Sequence, residues 1–181
     1  MPAPIAPPIE TPRLTLRGHT VDDFADSAAM WGDPNVTRFI GGRPFSGEEV
    51  WSRLLRYAGH WALKGFGYWV VRERSSGRFV GEVGFADFRR ALEPPLGDAP
   101  EAGWALAAWA HGQGFAREAV QALHAWGDEA FAGARTVCMI DPANAASIAL
   151  AMKCGYLEYA RSVYHDAPTI LFERQASRSA S

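Results

Sequence analysis

The residues best placed for chemistry are two glycines set just ahead of an amphipathic run. His111-Gly112-Gln113-Gly114-Phe115-Ala116 follows a strand-like apolar piece, Ala102–Leu106. After it, Phe115, Ala119, Leu123 and Trp126, with Val120 beside them, fall on one face of a helix that is expected to run to about Phe131. Strand, glycine-containing loop and helix together make an anion site. First-turn N–H groups have no intrahelical partner, the helix dipole favours negative charge there, and glycine lets a phosphate approach the backbone. A pyrophosphate suits such a place; the plainer alternative is a tight turn and nothing more. Two phosphate loops are excluded. No G-x-x-x-x-G-K-S/T occurs, and Arg117 stands where a dinucleotide fingerprint needs its third glycine.

Carboxylates are the candidates for moving a proton. Glu101 begins it and is the first candidate for a base, with Asp87, Glu82 and Asp141 as rivals. The structural alternative for Glu101 is a strand-end carboxylate that holds a neighbouring loop. His111 is expected to pack the loop rather than act as a base. The other histidines, His19, His60, His124 and His165, show no metal-binding spacing, and no metal is predicted.

The elements that must position these groups follow in order. Met1–Glu10 reads as a loose, proline-rich leader without the basic segment of a secretory signal. Arg13–Arg17 alternates as a strand. Thr20 caps a helix over Val21–Trp31, which Asp33-Pro34-Asn35 breaks, and Phe39–Phe45 is a loop. Ser46 caps a second helix whose apolar stripe is Val50, Trp51, Leu54, Leu55 and Tyr57. Gly67–Arg72 and Phe79–Phe85 are hairpin strands, and Asp87–Pro100, with three prolines, is a loop. Thr136–Ile140 suits a buried strand, Ala145–Cys154 a helix stopped by Gly155, and Tyr156–Tyr164 and Pro168–Arg174 two last strands. Residues 1–10, 11–174 and 175–181 are thus leader, one α/β domain and a small polar tail expected to be disordered.

Composition narrows the class. At 181 residues, with 48% hydrophobic and 21% charged, the chain can bury the core of one folded domain. A formal charge of −2 gives no basic excess for nucleic acid. No apolar run approaches the ~20 residues of a membrane span. Cys138 and Cys154 form no C-x-x-C and read as reduced core cysteines, which points to the cytoplasm.

Taken together, the motifs resemble those of the GNAT N-acetyltransferases over roughly Thr11 to Arg174. The family's acetyl-CoA loop is Gln/Arg-x-x-Gly-x-Gly/Ala; here Gly114 and Ala116 are in place, and His111 departs from the first position. Glu101-x-Gly103-Trp104 is similar to the family's E-x-G-Y strand start. Asn144-x-x-Ser147-Ile148 followed by Lys153-x-Gly155-Tyr156 is similar to N-x-x-S-I…K-x-G-F, which resembles the branch of ribosomal-protein N-terminal acetyltransferases. The resemblance implies a mixed, mostly antiparallel sheet splayed between its fourth and fifth strands, counted from Arg13, with helices on both faces. It implies acetyl-CoA as co-substrate, held by Gly112, Gln113, Gly114, Phe115, Ala116 and Arg117, by backbone amides at Leu106, Ala107 and Ala108, and by Asn144 and Ser147. Arg117 either adds charge near a phosphate or is simply solvated.

The same resemblance implies that Glu101 takes a proton through water and that Ser147 lies near the CoA sulfur as the acid; Ser147 otherwise bonds the helix backbone. Some relatives place a tyrosine acid where this chain has Ala151, so that acid is excluded. The acceptor is a protein N-terminus or a small amine, the assembly suggested by the family is a homodimer, and a non-catalytic CoA-binding sensor is the alternative class. Of Trp31, Phe39 and Phe45, at least one is expected to line the acceptor pocket.

Overall fold

The computed structural model describes residues 6–176; the expectations for Met1–Ile5 and for the tail beyond Ala176 lie outside the described residues. Eight strands share one sheet: β1 (Ile9–Glu10), β2 (Leu14–Arg17), β3 (Tyr68–Glu73), β4 (Phe79–Ala86), β5 (Glu101–Leu106), β6 (Thr136–Ile140), β7 (Leu157–Tyr164) and β8 (Ala167–Arg174). Their order is β1-β2-β3-β4-β5-β6-β8-β7, antiparallel except where β5 and β6 run parallel. That parallel contact consists of one register pair, Glu101 opposite Val137, beyond which the strands separate. The expected splay is therefore present. It falls between the fifth and sixth strands because the two residues of β1 extend the sheet.

Residues 6–10 are not the loose leader their prolines suggest. Ala6 is buried, the Trp69 indole donates to the Pro7 carbonyl at 2.8 Å, and Ile9–Glu10 pairs with β2. Proline removes a backbone donor but keeps its acceptor, and a buried indole N–H needs one. The breaker at Asp33-Pro34-Asn35 likewise starts a short helix, because proline fits the first helical turn and the Asp33 carboxylate caps the Asn35 N–H.

Helices cover both faces. A 3₁₀ turn over Val21–Asp23 leads into α1 (Phe24–Trp31); α2 (Pro34–Thr37) follows, and then α3 (Gly47–Lys64). In α3 the Ser46 and Glu49 side chains form a capping box, and Gly65 ends the helix at φ 73°. α1 and α3 pack on the face that shows Tyr68 and Val70 of β3. On the other face α4 (Phe115–Ala130) buries Phe115, Ala119, Val120 and Leu123 against Trp69, Val83 and Phe85. Each such large side chain contributes about 1.5–3 kcal/mol of burial. α5 (Ala145–Lys153) follows β6.

Two strand glycines have a steric reason. Gly84 and Gly103 are register partners in β4 and β5, and Tyr68 lies across both. A Cβ at either position would collide with Tyr68, whose hydroxyl is brought against β5 at Gly103.

Candidate active site

The glycine loop is held from three directions and left open in a fourth. A 3₁₀ turn over Ala108–Ala110 ends at His111, whose Nε2 lies 2.9 Å from the Leu106 carbonyl. His111 therefore packs the loop, as expected of it. Gln113 Nε2 donates to Trp109 O at 2.6 Å. Gly112 and Gly114 have φ of 73° and 78°, the left-handed region in which glycine is at ease. Gly114 is the N-cap of α4, and no side chain caps that helix. The first-turn amides, including those of Phe115, Ala116 and Arg117, are thus left to a ligand or solvent.

Arg13 was not singled out by sequence, and it flanks this anion site. It donates to the Gln113 carbonyl at 2.9 Å and pairs with Glu118 at 2.7 Å. Its Nη2 is the nearest heavy atom, at 3.4 Å, to a Cβ built on Gly114. One hundred positions separate Arg13 from Gln113, so no local spacing carries the signal. Arg117 is exposed at the start of α4.

The gap between β5 and β6 has a donor, though not at every residue expected to supply one. The Ala107 N–H already donates to Val80 O at 2.9 Å, so this amide is committed to the sheet and is withdrawn from the candidate donors. Antiparallel pairing alternates, so the neighbouring Leu106 peptide turns away from β4 and toward the gap. Its carbonyl meets His111; its N–H is the available donor. Ala108 lies beyond it in the 3₁₀ turn. Across the gap, Asn144 caps α5 by accepting from the Ser147 N–H at 3.2 Å. The Trp104 indole donates to Ser147 Oγ at 3.3 Å, which joins β5 to α5 over the opening. Trp104 was noted in sequence only as part of a strand pattern. Ala151, at the place of the excluded tyrosine, is buried.

On the α1/α3 face, Glu101 is held rather than free. Arg90, from the 87–100 loop, donates Nε to Oε2 at 2.6 Å and Nη2 to Oε1 at 2.8 Å. This is the loop-holding carboxylate weighed against the base, although two of its four lone-pair positions stay open. The rivals are also engaged. Glu82 is fully buried and accepts from Ser27 Oγ at 2.6 Å and Trp31 Nε1 at 2.8 Å. His19 Nε2 lies 3.3 Å from Glu82 Oε1, a close approach off the line of a hydrogen bond. Burial alone would raise the Glu82 pKa; the contact with His19 and the hydrogen bonds from Ser27 and Trp31 turn it downward. Asp87 pairs with Lys64 at 2.9 Å, and Asp141 caps a turn at the Ala143 N–H.

The same face carries an aromatic wall. Phe45 stacks on Trp31 with centroids 5.3 Å apart, and Tyr57 stacks on Tyr68 at 4.1 Å. A cavity of about 430 Å³ is lined by Phe45, Glu48, Glu49, Ser52, Arg53 and Arg56. Of the three expected aromatics, Phe45 lines it, buried Trp31 backs Phe45, and Phe39 lies instead beside Arg38. A second cavity, of about 380 Å³, is bordered by Met30, Arg78, Phe79, Ala107, Ala108 and Trp109, at the end of β5.

A sheet that opens beside an uncapped, glycine-started helix offers an anion a place between strands. The chain belongs to the GNAT family: residues 13–157 match the family model described as acetyltransferase (GNAT) domain. It is 32% identical to a protein assigned to the GnaT-family acetyltransferases of Bordetella pertussis, with a TM-score of 0.82 over 93% of this chain and 99% of that one. An uncharacterized N-acetyltransferase p20 of Bacillus licheniformis is 28% identical over 141 residues, 77% of this chain and 76% of that protein. The ribosomal-protein-S5-alanine acetyltransferase of Vibrio fischeri, at 18% identity, shares the fold with a TM-score of 0.74 over 97% of this chain and 100% of its own. Both the family resemblance and the splayed sheet read from sequence are thus present. Among the described residues no helix is long and apolar enough to cross a membrane.

Proposed function

We propose that this acetyltransferase moves the acetyl group of acetyl-CoA to a primary amine by direct attack in a ternary complex. One observation carries the reading. β5 leaves β6 after the single pair Glu101–Val137, begins at Glu101 held by Arg90, and leads at its far end into the uncapped α4 N-terminus flanked by Arg13. The residues suit CoA, because the Gly114 N-cap offers amides that no side chain occupies and an anion can approach them. Acetyl-CoA supplies an acetyl group already activated as a thioester.

Each residue then has a task. The Leu106 N–H is the donor for the carbonyl oxygen on which charge grows. Glu101, oriented by Arg90, accepts a proton from the amine through water on its open lone pairs. The N–C bond forms, the C–S bond breaks, and the departing sulfur takes its proton from solvent, directly or through the Ser147 hydroxyl, which regains one from water as Glu101 gives its proton up to water. A protein N-terminus and a small amine are both served by this scheme.

Initial rates with acetyl-CoA and a panel of amines test it. Intersecting double-reciprocal lines are the expected outcome. An acetylated protein formed without amine would overturn direct attack, and CoA binding without transfer to any amine would leave a sensor.

A further inference from the structure

The acceptor-side cavity holds two guanidiniums to which, among the described residues, no carboxylate is bonded. Arg53 lies over Trp31 at 4.2 Å and over Phe45 at 4.9 Å, and its hydrogen bond goes to the Tyr57 hydroxyl at 3.0 Å. Arg56, one turn later on α3, stands over Phe88 at 4.7 Å. The groups that weigh most on the charge of Arg56 are Arg53, Tyr57, Tyr68 and Arg90. Its guanidinium is crowded by protein although the residue as a whole is exposed. Burial, and then the charge of Arg53, lowers its pKa.

The acids near this cavity are otherwise occupied, with one exception. Glu49 pairs with Arg43 at 2.6 Å, Glu101 with Arg90, and Asp87 with Lys64. Glu82 sits beneath the wall, with Ser27 and Trp31 on its oxygens. Glu48 is the exception. It lines the end of the cavity near the start of α3, two turns from Arg56. The Arg53–Arg56 end is therefore cationic and the Glu48 end acidic.

Two runs of side-chain contact lead from the cavity wall toward β5. Arg53 bonds Tyr57, Tyr57 stacks on Tyr68, and the Tyr68 hydroxyl abuts β5 at Gly103. By a second route, Arg90 shares Phe88 with Arg56 and binds Glu101.

We propose that Arg56 and Arg53 select an acceptor amine that carries a carboxylate. This rests on the acetyl-transfer reading and deepens it. A guanidinium fork matches a carboxylate in geometry, and an unpaired one flanked by aromatic rings gains most from it. The same pair of cations repels a polyamine, whose charges are all positive. An amino acid and a peptide with an acidic side chain next to its N-terminus present the same chemistry.

The experiment compares amino acids with their amides, and peptides with Asp or Asn at the second position, with spermidine as the cationic control. Carboxylate acceptors should have at least about tenfold higher kcat/KM than their neutral partners. Arg56→Gln should abolish that ratio by raising the amine KM, with kcat and CoA affinity little changed, and Arg56→Lys should keep part of it. Arg56 is exposed, so these variants test the idea even if Arg53→Gln fails to fold. Preference for the free amino acid or for the acidic peptide identifies the source of the carboxylate. Equal rates with acids and amides, or an unchanged ratio in Arg56→Gln, overturn the inference and leave acetyl transfer standing. If no amine is acetylated, calorimetric titration of the CoA-loaded protein with the same acids and amides decides. Binding of the acids alone then keeps the carboxylate site while transfer fails, and equal or no binding overturns it.

Discussion

The two sides of β5 are built from different materials. Toward the gap and α4, the site consists of backbone amides, two glycines with positive φ and an uncapped helix end, with Arg13 and Arg117 nearby. Toward α1 and α3, it consists of side chains: stacked rings, two arginines with no carboxylate bonded among the described residues, and carboxylates most of which are tied to partners. A backbone site serves any ligand with a diphosphate and tolerates changes in side chains. A side-chain site sets which amine enters, and it depends on every group in the contact chain. Breaking the first should therefore abolish CoA binding, whereas altering the second should change turnover or selectivity with CoA still bound.

Gly114→Asp should give the largest effect. It places a side chain at φ 78° and a negative charge at the helix end, and should weaken CoA binding by about 100-fold or more. Arg13 is close enough to pair with the new carboxylate, so Gly114→Ala serves as the uncharged control and should lose less. Calorimetric titration of the folded variants reads both. An unchanged Kd for Gly114→Asp would remove the loop from the site.

Glu101→Gln should lower kcat by about 100-fold with CoA affinity nearly intact. Amines are mostly protonated near neutral pH, so the deficit should shrink as pH rises and free amine becomes plentiful. A pH–rate profile shows it. Wild-type kcat across the range would leave Glu101 as the partner of Arg90 alone.

The core beneath the CoA-side helix has its own pH dependence. His124 is buried with neither ring nitrogen hydrogen-bonded among the described residues, and burial, with Arg174 adding, lowers its pKa to about 4. The folded protein keeps it neutral where the unfolded chain takes up a proton below about 6.5. Its contribution to stability is complete above that value and is lost as pH falls toward 4, about 2 kcal/mol between pH 6.5 and 5. His124→Leu should flatten this limb. Urea midpoints at pH 5 and 7.5 for both proteins measure it, and equal pH slopes would exclude His124 as the cause.

The smallest effect belongs to Ser147→Ala, about 3- to 10-fold in kcat, because solvent can also protonate a thiolate. Trp104 loses only a long hydrogen bond in this variant. A loss as large as that of Glu101→Gln would make Ser147 the main acid and show that the gap excludes water.

What could be read in the chain before any coordinates were known is what local backbone physics dictates. Ser46 and Glu49 mark a helix start within four residues, and the α4 stripe repeats every turn. The strand–glycine–helix run implies an anion site because its donors are consecutive amides. The contents of the acceptor side were not legible, since they depend on which segments the sheet brings together. Gly84 and Gly103 look like weak strand residues until Tyr68 is seen to cross them, and Glu101 looks free until the 87–100 loop delivers Arg90. Ala107 looks like a ligand donor until β4 claims its N–H. Arg13 meets the glycine loop only because β2 and α4 pack together. Secondary structure is set by patterns a few residues long, and hydrogen-bond commitment is settled by partners far along the chain. The sequence by itself determined most of the strands and helices and the glycine loop ahead of α4; the tertiary structure alone decided which carboxylates are spent and which guanidiniums, among the described residues, remain unpaired.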